Sequence, residues 1–179
     1  MLETQEATYM DWLLLPEDCQ PRFELLNGRL VETASPTLTH QRILRRLIAK
    51  LEAFLAIYQL GEVLFAPLDV FIELNQIVVP DVVFVSTERL PLLTERGVVG
   101  APDMVVEILS PSTRIRDLTE KVVLYQRNFV QTYWIIDPEA QEVLVFELGN
   151  TSPEKYVLGQ SLTTPCLPNL RLEVAALFG

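Results

Sequence analysis

Residues 105–109, Val-Val-Glu-Ile-Leu, place a carboxylate inside what otherwise reads as a buried strand. A second Val-rich run, Pro-Asp-Val-Val-Phe-Val at 80–85, carries an acid at its start. Strands of this type, interleaved with segments of helical period, point to an α/β fold. Burying an unpaired carboxylate costs several kcal/mol or forces it to take up a proton. Any fold available to this chain must offset that cost at Glu107.

Side-chain alternation shows how it could. In the first run Asp81, Val83 and Val85 point one way and Val82 and Phe84 the other, while Glu107 alternates with Val105 and Leu109. If the two strands are neighbours, each offers one carboxylate to a shared spot, and paired buried anions repel each other unless a cation lies between them. A magnesium ion suits that spot, since it takes oxygen ligands and keeps several waters; Mn²⁺ accepts the same hard donors. The backbone carbonyl of Ile108 could add a ligand. Such an ion stabilises charge on a phosphodiester and acidifies a bound water, so hydrolysis is the natural reaction.

A lysine near the attacking water would complete the set. The position two after Glu107 is Leu109, so the strand does not supply it. Lys121 can. On a helix expected from about 116 to 128, with Leu118, Val122, Tyr125 and Phe129 as its inward stripe, Lys121 lies at the border of that stripe. Its stem can cover apolar surface while its ammonium reaches the carboxylates.

The remaining chain supplies a scaffold. Phe-Glu-Leu-Leu-Asn-Gly-Arg-Leu-Val-Glu at 23–32 is a hairpin turning at Asn27-Gly28, with Leu26 facing Arg29 and Glu24 facing Val31. From Thr39 to about Tyr58, Leu44, Leu47, Ile48, Leu51, Phe54, Leu55 and Tyr58 mark one amphipathic helix, with Ser35, Thr37 and Thr39 available as caps. His40 lies on its inward side. Residues 63–74 read as strand, 133–137 and 142–148 as a strand pair, and the Pro-interrupted tail as an edge segment. Without repeat, low-complexity stretch or linker, residues 1–179 are expected to form one domain. Cys19 and Cys166 lack metal-site spacing and read as reduced thiols. The amino terminus has no secretory pattern and no apolar run is long enough to cross a membrane, which predicts a cytoplasmic protein.

Each chemical assignment has a plainer rival. Asp81 could be a turn carboxylate after proline, and Glu107 could pair with an arginine. Lys121 could sit exposed beside Asp117 four residues earlier, while Asp117 favours the start of a helix. Glu24 could pair with Arg22 or Arg29. His40 could be a satisfied histidine near a helix start, and Arg42, Arg45, Arg46 and Lys50 a solvated face.

Pro80-Asp81 followed by Glu107-Ile108-Leu109 resembles the PD-(D/E)XK nuclease signature with its lysine moved to the next helix. More closely, the blocks at 23–32, 35–43, 78–85, 100–125 and 132–143 look, in this order, like the Uma-two family of bacterial restriction-type endonucleases. That resemblance implies a restriction-endonuclease-like core, a mixed β-sheet flanked by helices with an N-terminal hairpin, cutting DNA with a divalent metal. It implies Asp81 and Glu107 as metal ligands, Lys121 as the group that orients water or stabilises the transition state, and Glu24 as a further acidic partner. It also implies a homodimer, because duplex DNA presents two strands. The departure from the superfamily pattern is Leu109.

A formal net charge of −10 argues against passive wrapping of nucleic acid, which depends on Lys and Arg neutralising phosphates. Two other functions compete with a Mg²⁺-dependent endonuclease: a nuclease fold that has lost its activity and serves as a binding module, and a hydrolase of small phosphate esters.

Overall fold

The computed structural model describes residues 6–16, 22–150 and 152–179. Cys19 lies outside them. A short helix, α1 (Tyr9–Leu13), precedes the hairpin of β1 (Phe23–Leu26) and β2 (Arg29–Glu32). Its register is the expected one, Glu24 opposite Val31 and Leu26 opposite Arg29. Asn27 and Gly28 take φ of 50° and 70°, the positive pair that a two-residue turn matching the strand twist requires.

The long helix α2 (Leu38–Tyr58) starts where Thr37 accepts the His40 N–H on its side chain. It buries Ile43, Leu44, Leu47, Ile48, Leu51 and Leu55 along one face, whereas Arg42, Arg45 and Lys50 are exposed. Tyr58, expected on the inward stripe, is half-exposed at the last turn.

Beyond it come β3 (Gly61–Phe65), β4 (Val70–Glu73), β5 (Gln76–Val78), β6 (Val82–Ser86), a 3₁₀ turn over Thr87–Leu92, β7 (Leu93–Thr94), β8 (Gly97–Val99) and β9 (Met104–Ile108). The run at 63–74, read from sequence as one strand-like stretch, is divided between β3 and β4, which belong to different sheets. Pro67 has no N–H to donate and interrupts pairing between them.

Next are α3 (Arg114–Leu118), α4 (Glu120–Arg127), β10 (Thr132–Asp137), β11 (Glu142–Glu147), β12 (Glu154–Val157), β13 (Ser161–Leu162), β14 (Leu172–Glu173) and α5 (Ala175–Phe178). The single helix expected at 116–128 is two, broken at Thr119, whose backbone leaves the helical region (φ −129°, ψ −78°) and whose hydroxyl donates to the Ile115 carbonyl at 2.6 Å. Phe129 is not on the inward stripe. It follows α4 with φ of 61° and is 74% exposed.

Two six-stranded sheets are stacked. The central one has the order β12-β11-β10-β9-β6-β3, the other β2-β1-β5-β4-β8-β7. β9 runs parallel to β10 through the α3–α4 crossover and antiparallel to β6, pairing Val82 with Val106. Strands β6 and β9 are covered on both faces. Val82, Phe84, Met104, Val106 and Ile108 join α2 and the tail leucines Leu162, Leu167, Leu170 and Leu172 in one core. Val83, Val85, Val105 and Leu109 face the second sheet and α4 in another. The tail, expected to sit at an edge, therefore closes the first core.

Candidate active site

The alternation that splits the Val side chains between two cores also decides where the acids go. Glu107 occupies the face of β9 shared with Val105 and Leu109, and Asp81 stands just ahead of β6 beside it. The Ile108 N–H donates to Asp81 Oδ2 at 2.7 Å, so the two acidic positions are joined through one backbone step. Asp81, Glu107 and Ile108 border one cavity of about 60 Å³.

Lys121 is 2% exposed, so the plain reading of it as a solvated helix residue does not fit. Its Nζ lies 2.7 Å from Glu107 Oε1, 2.8 Å from Glu24 Oε1 and 3.5 Å from Asp117 Oδ1. The break at Thr119 starts α4 one residue before Lys121, and the side chain enters the gap between the hairpin and β9. Burial alone would drive the ammonium to lose its proton, but Glu107, Glu24 and Asp117 together hold its pKa well above the usual lysine value. It is a fixed cation.

Glu24 is fully buried. Its Oε1 accepts the Val79 N–H at 3.0 Å, and its Oε2 lies 3.5 Å from Arg116 Nε. Neither Arg22 nor Arg29 is its partner; they pair with Asp69 and Glu120. Glu107 Oε1 also accepts the Tyr125 hydroxyl at 3.2 Å. Burial pushes the Glu107 carboxyl well above the ordinary range, Lys121 opposes that, and Asp117, Asp81 and Glu24 add to it. Asp117 is raised as well, first by burial. Four carboxyl groups, those of Glu24, Asp81, Glu107 and Asp117, crowd together here beside two basic side chains, Lys121 and Arg116.

This concentration of oxygen donors fits a hard divalent cation. Asp81 and Glu107, with the chain at Ile108, are among the residues that border the cavity, which has room for an ion together with water. Among the described residues, no three His, Cys, Asp or Glu side chains form a ready-made metal cage. A cation here would rely on Asp81, Glu107, a backbone carbonyl and waters, the sparse protein coordination that magnesium accepts.

Sequence reasoning undervalued three of the groups. His40 Nε2 lies 3.0 Å from Asp81 Oδ2, and the ring lines the cavity. Its only sequence signal is the position one turn before Leu44. Asp117, read as a helix-start acid, is buried against Lys121; the four-residue spacing between them was the available clue. Arg116 had no distinguishing signal.

A family profile described as "Putative restriction endonuclease", Uma2, matches residues 7–175. The chain belongs to the Uma2 family. No curated protein matches this Uma2 chain. Among solved structures it is similar to a protein from Anabaena variabilis ATCC 29413 described as a "putative nuclease belonging to DUF820", with a TM-score of 0.82 and 24% identity over 96% of this chain and 97% of that one. At that identity the likeness establishes the shared fold. The family supports a nuclease, and no helix among the described residues is long and apolar enough to cross a membrane.

Proposed function

We propose that this Uma2 protein is a metal-dependent endonuclease that hydrolyses phosphodiester bonds in DNA. The observation that carries the reading is Lys121: a buried ammonium seated between Glu24 and Glu107, on the wall of the cavity that Asp81 also borders. Asp81 and Glu107, with the Ile108 carbonyl, are the residues that would hold Mg²⁺ or Mn²⁺. When bound, that ion supplies charge neutralisation for the phosphodiester and acidifies a water.

The chain's own groups do the positioning. Lys121, kept protonated by its carboxylate neighbours, acts as a donor to the attacking water or to a phosphoryl oxygen rather than as a base. Glu24, tied to the Val79 N–H, anchors the ammonium and keeps it from swinging away. Tyr125 holds one Glu107 oxygen, which restricts the carboxylate's rotation. Lys121 supplies in space what Leu109 lacks in sequence, and this weighs against the inactive-module reading.

The family's description supports DNA as the proposed substrate; a cytoplasmic location and a homodimer, suited to the two strands of a duplex, complete the proposal. Plasmid cleavage in Mg²⁺, in Mn²⁺ and in chelator tests it, alongside calorimetric titration of wild type, Asp81→Asn and Glu107→Gln with the same ions. We expect metal-dependent nicking by the wild type, reduced about 100-fold or more in both variants. Equal and negligible metal binding in all three proteins would remove the metal from the reading. Cleavage of RNA or nucleotides but not of plasmid would reassign the substrate.

A further inference from the structure

His40 projects from the first turn of α2 with its backbone N–H fixed by the Thr37 side chain. Its ring is buried, and Nε2 lies 3.0 Å from Asp81 Oδ2. The same oxygen accepts the Ile108 N–H at 2.7 Å. With Asp81 in the carboxylate form that metal ligation requires, its oxygens only accept hydrogen bonds and Nε2 is the donor in this contact. Each carboxylate oxygen has about two lone-pair sites, and these two donors fill those of Oδ2. Among the described residues no hydrogen bond falls on Oδ1. Nδ1 is buried without a partner, so Asp81 is the ring's one hydrogen-bonded contact among those residues.

The two donors come from different elements, a helix and a strand, and converge on one atom. A carboxylate clamped from two directions cannot rotate to exchange its oxygens. We propose that His40 is a positioning residue for the metal site: by occupying Asp81 Oδ2 together with the Ile108 N–H, it leaves Oδ1 as the one oxygen that meets the cation and enforces single-oxygen coordination. This rests on the metal-dependent reading above and adds to it the mode of ligation. The physical analogue is the outer partner that orients a ligating side chain, whose loss typically costs about 10- to 100-fold in metal affinity.

The test compares His40→Leu, which keeps apolar volume without a donor, with His40→Gln, whose amide can donate from a similar reach. Mn²⁺ and Mg²⁺ affinities are measured by calorimetry on wild type, both variants and Asp81→Asn, with thermal melts as a folding check. His40→Leu should weaken metal binding about 10- to 100-fold, and His40→Gln should recover most of the loss. A folded His40→Leu that binds metal like wild type, or a folded His40→Gln as weak as His40→Leu, overturns the role. If wild type binds metal and Asp81→Asn does not, such a result condemns the His40 assignment alone; if wild type binds none, the parent reading falls and this one with it. A Mn²⁺-soaked wild-type crystal gives an independent answer that needs no variant: ligation through Oδ1 supports the proposal, and ligation through Oδ2 or both oxygens overturns it.

Discussion

Lys121 and Glu107 form a pair whose members are each costly alone. Removing the ammonium by Lys121→Met leaves Glu24, Glu107 and Asp117 crowded without their shared cation, and breaking a buried ion pair from one side costs about 3 kcal/mol or more. We expect a clear drop in melting temperature together with loss of DNA cleavage, and both should be measured on the same preparation. Glu107 behaves in the opposite sense. Its folded-state pKa lies above the unfolded value, so the folded protein holds a proton that the unfolded chain releases, and stability is lost as pH climbs from the ordinary carboxylate range through the raised pKa. Glu107→Gln removes that loss. Relative to the wild type, the melting temperature of Glu107→Gln should therefore rise as pH climbs above about 4, the ordinary carboxylate pKa. A pH-independent difference would mean that Glu107 is ionised throughout.

Among the elements, α2 links stability to the site. Thr37→Ala deletes the side-chain acceptor of the His40 N–H, which should cost about 1 kcal/mol in chemical denaturation. The same elements mark what could be read in advance. The hairpin was legible because Asn27-Gly28 fixes both its turn type and its register. Strands β6 and β9 were legible because Val alternation continues on either side of each acid, and Asp81 and Glu107 followed directly from that pattern. The break between α3 and α4 was not. Thr119 satisfies its hydroxyl on the preceding turn and has no helix-breaking chemistry that a periodicity reading could weigh. His40 and Asp117 were visible as residues but not as members of the site, because the partner of His40 lies 41 residues away and the burial of Asp117 beside Glu24 brings in the distant hairpin. Such contacts are fixed by tertiary packing, which spacing along the chain does not encode.

At the level of the molecule, two cores share the central sheet. Val82 and Val83, adjacent in sequence, belong to opposite cores, as do Val105 and Val106. Neither core can melt without exposing the other face of β6 and β9. The protein should therefore unfold in one transition, and near-ultraviolet and far-ultraviolet circular dichroism should give the same denaturation midpoint. Separate midpoints would show that the second sheet and the hairpin open independently. The placement of the lysine has a wider consequence. Leu109 is packed into the second core, while an ammonium from fourteen residues past Glu107 reaches the site. Text patterns that demand a lysine two letters after the acid will pass over proteins built this way. A three-dimensional template of two carboxylates and an amine, blind to which segment donates each, is the search that would retrieve them.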